Sequence, residues 1–212
     1  MLKVWGRATS INVQKVMWVI GELGLEHERF DVGGAYGGLD SPSFQALTPH
    51  GLIPVLEDGE TVVWESNAIV RYLASKYDQG GLYPDAPGPR AQADQWMDWH
   101  ATTLYRDFIS VFVGMVRTAP SRRDNIAIAE AAKRSAERYL CLNSLLADRA
   151  FIAGDHLTMG DIPIGATLYR YFTLEIERPP LPHLETYYQR LQTRSAYRDH
   201  VMVSYESLRA TD

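Results

Sequence analysis

The sequence predicts two domains, a small α/β domain followed by an all-helical one. Three observations carry this. Strand-like and helix-like apolar patterns alternate over the first eighty residues, and only the helical period persists beyond residue 90. Between them, residues 80–89 hold three Gly and three Pro in ten positions, the composition of a linker. We therefore expect a first domain over residues 1–79, a linker over 80–89 and a helical domain over 90–212.

In chain order, residues 2–5 are short and apolar enough for a strand. Val13, Val16, Met17, Ile20 and Leu23 then fall at helical spacing, and Gly24 supplies a stop. Residues 27–32 read as a second strand that runs into Gly33-Gly34-Ala35-Tyr36-Gly37-Gly38, too glycine-rich for regular structure. Ser41-Pro42 is an N-cap followed by proline at the first helical position and starts a short helix to about Leu47. Residues 51–57 and 61–64 form a hairpin across Asp58-Gly59, and Ile69, Tyr72, Leu73 and Tyr77 place a helix after Ser66. The order is a βαβ unit followed by a ββα unit, and the first unit needs a right-handed crossover. Long helical patterns follow over 90–117 and 124–148, and shorter ones over about 161–172, 183–193 and 195–204. Thr158 and Asp161 make a capping box, with Leu157 and Ile162 as its hydrophobic staple.

Composition narrows the function. The 212 residues are 46% hydrophobic and 22% charged, which excludes a disordered or collagen-like chain. A formal charge of −5 gives no basis for a nucleic-acid or anionic-membrane partner. The single cysteine, Cys141, can form neither an internal disulfide nor a thiolate metal site, so no metal is expected. It lies in a helical pattern and reads as a small buried apolar residue. No apolar run approaches the roughly 20 residues of a membrane span, and residues 1–7 lack a secretory signal, so a cytoplasmic protein is expected.

Three stretches of the first domain carry candidate chemistry. In Ala8-Thr9-Ser10-Ile11-Asn12 the hydroxyls stand at the start of a helix, where they cap it or help the helix N-terminus stabilise an anion. In Leu52-Ile53-Pro54-Val55 a proline enters an otherwise buried strand, the mark of an edge, a bulge or a cis bond. In Trp64-Glu65-Ser66-Asn67, Ser66 and the amides behind it suit a carboxylate, and Glu65 suits an ammonium. The bland alternative for this third stretch is again a helix cap.

Taken together, Ser10…Asn12, the run from Leu52 to Gly59 and Glu65-Ser66-Asn67-Ala68-Ile69-Val70-Arg71-Tyr72-Leu73 resemble the glutathione S-transferase signature. The likeness spans essentially the whole chain and is nearest to bacterial and plant branches of the phi and theta type, which use a serine near the first helix. It implies a thioredoxin-like βαβαββα domain, an all-α domain, a homodimer and a detoxifying transferase activity with glutathione as co-substrate. On this resemblance Ser10 holds the glutathione thiolate with Asn12 as a second donor. Ile53, before Pro54, pairs with the cysteinyl backbone, and Glu65 and Ser66 grip the γ-glutamyl end. Phi members carry basic residues for the glycyl carboxylate where this chain has Leu39-Asp40, so Tyr36, His50 and the Gly37-Gly38 amides are the candidates there. The position of the nucleophilic cysteine of omega-type relatives is Ser10, which argues against disulfide exchange through a protein thiol. For the hydrophobic electrophile, residues 90–117 offer Tyr105, Phe108, Phe112 and Met115, which are equally well placed as core or dimer-contact residues. The same fold also serves isomerases, dehalogenases, peroxidases and non-catalytic regulatory proteins.

Overall fold

A computed structural model describes residues 1–79 and 81–212; Gly80, the first residue of the expected linker, lies outside the described residues. In chain order the elements are β1 (Leu2–Trp5), α1 (Ile11–Glu22), β2 (His27–Phe30), α2 (Pro42–Gln45), β3 (Val55–Asp58), β4 (Thr61–Trp64), α3 (Ser66–Tyr77), α4 (Pro87–Trp99), α5 (Tyr105–Phe112), α6 (Asn125–Leu145), α7 (Asp161–Thr173), α8 (Pro182–Gln192) and α9 (Ser195–His200). They fall into two compact units, Met1–Tyr83 with Arg194–Val203 and Pro84–Thr193 with Ser204–Asp212.

The first unit is built on a mixed sheet of order β2-β1-β3-β4, parallel only between β1 and β2. Val4 stands opposite both Arg29 and Leu56, which sets the register. β3 starts at Val55 rather than at residue 51 as the sequence suggested, because Pro54 has no N–H for the ladder and follows a cis Ile53–Pro54 bond. On one face, Val32, Phe44 and Val55 pack with Trp5, Leu39, Leu47 and Ile53. Leu56 points to the other face, where α1 and α3 lie side by side. The hairpin is tied to α3 by Asp58, which accepts hydrogen bonds from Tyr72 (2.8 Å), Tyr77 (2.7 Å) and Lys76 (2.6 Å). The glycine run 33–38, expected to be irregular, includes a short 3₁₀ turn at Gly34–Tyr36.

The chain returns to this unit near its end. α9 packs against α1: Tyr197 meets Trp18 edge-on at 4.8 Å, and Arg194 holds Glu22 by two hydrogen bonds of 2.7 and 2.6 Å. Gly21 makes the approach possible, since a Cβ there would stand 2.8 Å from that of Ala196. The expected second domain ran unbroken from residue 90; residues 194–203 instead belong to the first unit.

The second unit is all-helical. Residues 87–117 form one long helix, with a π-helical turn at His100–Leu104 between its α-helical parts and another at Val113–Arg117 at its end. The buried α7 packs on α4, α5 and α8. Its N-cap residue is Gly160 rather than Thr158, but the Thr158–Asp161 pair still closes the turn before it: the Thr158 hydroxyl accepts from the Gly160 N–H (3.2 Å), and Asp161 accepts from the Thr158 N–H (2.9 Å). Asp161 also accepts from the Ile152 N–H (2.8 Å) and the Tyr187 hydroxyl (2.9 Å), so one buried carboxylate joins three segments. Cys141 corrects the sequence reading. It is exposed, because α6 buries the stripe Ala131, Ser135, Tyr139 and Leu142 and residue 141 lies off that stripe. Among the described residues, no helix is long and apolar enough to cross a membrane.

Candidate active site

Two helix starts and one strand entry meet in the first unit. Asn12, His50, Ile53, Pro54, Glu65 and Ser66 line a small cavity of about 70 Å³ together with Thr48, Leu52 and Trp64. Larger cavities, of about 270, 610 and 360 Å³, lie in the second unit away from these groups. Volume does not single out the small cavity. What does is the convergence of donors from three separate stretches of chain.

Ser10 is the N-cap residue of α1 by backbone geometry, with φ −84° and ψ 122°, and its carbonyl accepts the first helical bond, from the Gln14 N–H at 2.9 Å. Its hydroxyl makes no capping hydrogen bond. The capping explanation for this serine therefore fails, and the hydroxyl is available at the positive end of the helix. No acidic residue occupies the first turn of α1, so nothing neutralises that end. Ser10 is not among the residues that line the cavity; Asn12, two residues later, is. The Asn12 side-chain oxygen accepts a hydrogen bond from the Ser66 hydroxyl (3.4 Å), which ties the starts of α1 and α3 together.

Glu65 carries the one positive φ of any non-glycine residue among the described residues, 68° with ψ 114°. That conformation costs about 1–3 kcal/mol and persists only where the surroundings impose it. Here it turns β4 directly into α3, and the Glu65 carbonyl accepts from the Ile69 N–H at 2.9 Å. The side chain is left exposed beside the buried Ser66. The first turn of α3 holds no acid of its own; the acid at this helix end is its N-cap residue, Glu65.

The remaining sequence candidates separate. His50 lines the cavity and meets the Trp64 ring edge-on at 4.5 Å, whereas Tyr36 is 62% exposed and does not line it. In the second unit, Phe108 and Phe112 are each 1% exposed and belong to the core, so they correct the expectation of a substrate wall there. Arg170 lies over the Phe112 ring at 4.4 Å. Tyr105 is half-buried beside the His100 ring, and Met115 opens into the cavity of about 270 Å³ with Tyr169 and Tyr205. Sequence reasoning missed Thr48, and it quoted Leu52 and Trp64 within the motifs without giving either a role at the site. It also missed the burial of Lys15, a lone cation inside the apolar run 13–20.

The chain also resembles known proteins over nearly its whole length. Residues 5–81 match the family model of the glutathione S-transferase N-terminal domain, and residues 94–195 that of the C-terminal domain. The chain is 40% identical over 205 residues to glutathione S-transferase GstB of Escherichia coli, covering 96% of this chain and 99% of that one. It is 32% identical over 207 residues to glutathione S-transferase 3 of Zea mays, covering 92% and 91%. Among solved structures, the theta class glutathione S-transferase of Xanthomonas axonopodis pv. citri with glutathione bound superimposes with a TM-score of 0.93 at 45% identity, over 96% of this chain and 98% of that one. The sequence signature, the mixed four-stranded sheet with its helical partner unit and these relatives lead to one assignment: the chain belongs to the glutathione S-transferase family.

Proposed function

We propose that this chain is a glutathione transferase that binds the tripeptide across the Asn12, Ile53–Pro54 and Glu65–Ser66 surface and holds its thiolate at the start of α1. The observation that carries the reading is the Ser10 hydroxyl, which sits at a helix N-terminus and does not cap it. A free thiol of this kind has a pKa near ~8.5, and lowering it by about two units needs roughly 2.7 kcal/mol of preferential thiolate stabilisation. A hydroxyl hydrogen bond and an unneutralised helix end are of that size. The thiol proton leaves to solvent. The sulfur then forms a bond to an electrophilic carbon, and the leaving group departs with its electron pair.

The γ-glutamyl ammonium meets Glu65, and its carboxylate meets Ser66 and the start of α3. His50 is the candidate for the glycyl carboxylate that the structure favours, since it lines the cavity and Tyr36 does not. The apolar electrophile is assigned to the surface that includes Met115, with Tyr169 and Tyr205 as neighbours. Retention on glutathione-agarose together with turnover of chlorodinitrobenzene tests the proposal; failure of both overturns it. We further assign a homodimeric, cytoplasmic protein. The edge strand β4 exposes Val62 and Trp64, apolar surface suited to a second copy. Light scattering at micromolar concentration should give twice the chain mass, and a monomer mass would remove that part of the assignment.

A further inference from the structure

Gln14 is 1% exposed on α1, where the stretch from Val13 to Ile20 is otherwise apolar except for Lys15. A buried side-chain amide costs stability unless its groups are hydrogen-bonded. Only half of this one is. Its Nε2 donates to the Ala8 carbonyl at 3.0 Å, while its Oε1 is buried with no hydrogen-bond partner among the described residues. Methionine or leucine would fill the position at similar volume without that cost. What glutamine adds here is the bond to Ala8.

Ala8 belongs to the turn that delivers Ser10. The Ser10 N–H donates to the Arg7 carbonyl at 3.1 Å, which closes residues 7–10 into a turn with Ala8 and Thr9 at its centre. Upstream the turn is held to the strand end, where the Gly6 N–H donates to the Phe30 carbonyl (2.8 Å) and the Arg7 N–H to that of Val32 (3.2 Å). Downstream it is held by Gln14 alone, twice over. Side chains on a helix lean toward its N-terminus, so the Gln14 amide reaches back to Ala8 while its backbone N–H bonds the Ser10 carbonyl at 2.9 Å.

We propose that Gln14 is a positioning residue for the thiolate: by bracketing residues 8 and 10 it keeps the Ser10 hydroxyl turned away from its own helix amides and available to the sulfur. The inference rests on the reading of Ser10 as the thiolate donor. Released from the bracket, the hydroxyl can turn back to the Asn12 or Val13 N–H, as an N-cap serine ordinarily does, and the thiolate loses a donor. The bond to Ala8 thus sets the direction of the hydroxyl before the ligand arrives, which is preorganisation of a charge-stabilising group. Gln14 itself touches no ligand atom.

The test reads the pKa of bound glutathione from the thiolate absorbance titration of the full-length protein. Gln14→Met should raise it by about half a unit to one unit. At about pH 6.5, kcat should then fall about three- to tenfold and recover toward the unsubstituted value at high pH, since only the thiolate fraction has changed. Affinity for S-methylglutathione, which has no thiol to ionise, should stay within about twofold. If Gln14→Met does not fold, Gln14→Asn, whose amide is one methylene too short for Ala8, carries the same measurements. In the Ser10→Ala background Gln14→Met should add no further shift, because it acts through that hydroxyl. An unchanged pKa, an equal shift with the Ser10 hydroxyl already removed, or a loss of S-methylglutathione affinity as large as the loss of kcat overturns the proposal. Ser10→Ala alone separates the two levels of the argument. If it raises the pKa and the Gln14 variants do not, only the role of Gln14 falls. If Ser10→Ala leaves the pKa unchanged, the thiolate reading falls and this proposal falls with it.

Discussion

Ser10 and Lys15 are single side chains that depart from the local rule: an N-cap serine that does not cap, and a buried lysine. An N-cap serine ordinarily turns its oxygen back to the N2 or N3 amide, and Ser10 does not. Ser10→Ala should therefore leave stability within about 0.5 kcal/mol, far less than the loss of a working cap. It should raise the pKa of bound glutathione by one unit or more, about 1.4 kcal/mol per unit, read from the thiolate absorbance titration. A shift with Asn12→Ala and none with Ser10→Ala would make the amide the donor. Lys15 has the opposite signature, a group kept at the expense of stability. Its folded pKa of about 7 lies below the unfolded value, so its penalty is full below pH 7 and fades as pH rises toward 10.5. Lys15→Met should accordingly raise unfolding stability at pH 6–7, with the gain shrinking by pH 10 in urea titrations.

At the scale of elements, α7 and β3 show what local sequence chemistry can and cannot specify. The Thr158–Asp161 box was legible because a reciprocal cap is a short-range pattern, satisfied by atoms within three residues. The sequence did not reveal that Asp161 also accepts from Ile152 and Tyr187, partners 9 and 26 residues away. Asp161→Ala leaves the buried Ile152 and Thr158 amides without an acceptor, and at about 1–3 kcal/mol per orphaned group it should cost about 3 kcal/mol or more, measured as a lower urea midpoint. The residual cap contributes only about 1 kcal/mol, so a loss of that size alone would reduce Asp161 to an ordinary helix start. β3 illustrates the reverse case. Residues 51–57 read as a strand, but Pro54 ends the ladder, and three of the four residues removed from β3 (Leu52, Ile53 and Pro54) line the candidate site.

At the scale of the whole molecule, the chain closes its first unit with residues from near its end. α9 brings His200 against β2, where its ring stands 6.4 Å from that of His27. Burial, His27 and Arg29 hold the His200 imidazole below its ordinary pKa, and Asp199 on its own helix acts against them. A histidine whose folded pKa is depressed binds its proton first in the unfolded chain. Stability is therefore lost as pH falls from about 6.5 through the folded value. His200→Gln should flatten the slope of urea stability between pH 7 and 5, and an unchanged slope would place the pH dependence elsewhere.

Residues of the sequence determined the order of elements, the two composition-marked halves, the capping box and the three site motifs. Each is written in short-range periodicity, turn chemistry or a run of adjacent residues. Only the tertiary structure decided that residues 194–203 join the first unit, that Cys141 faces out, that Phe108 and Phe112 are core, and that Lys15 is buried. The physical reason is common to all four. An amphipathic pattern fixes that a helix has an apolar face and which residues share it, but the partner that covers the face is set by packing across long sequence separations.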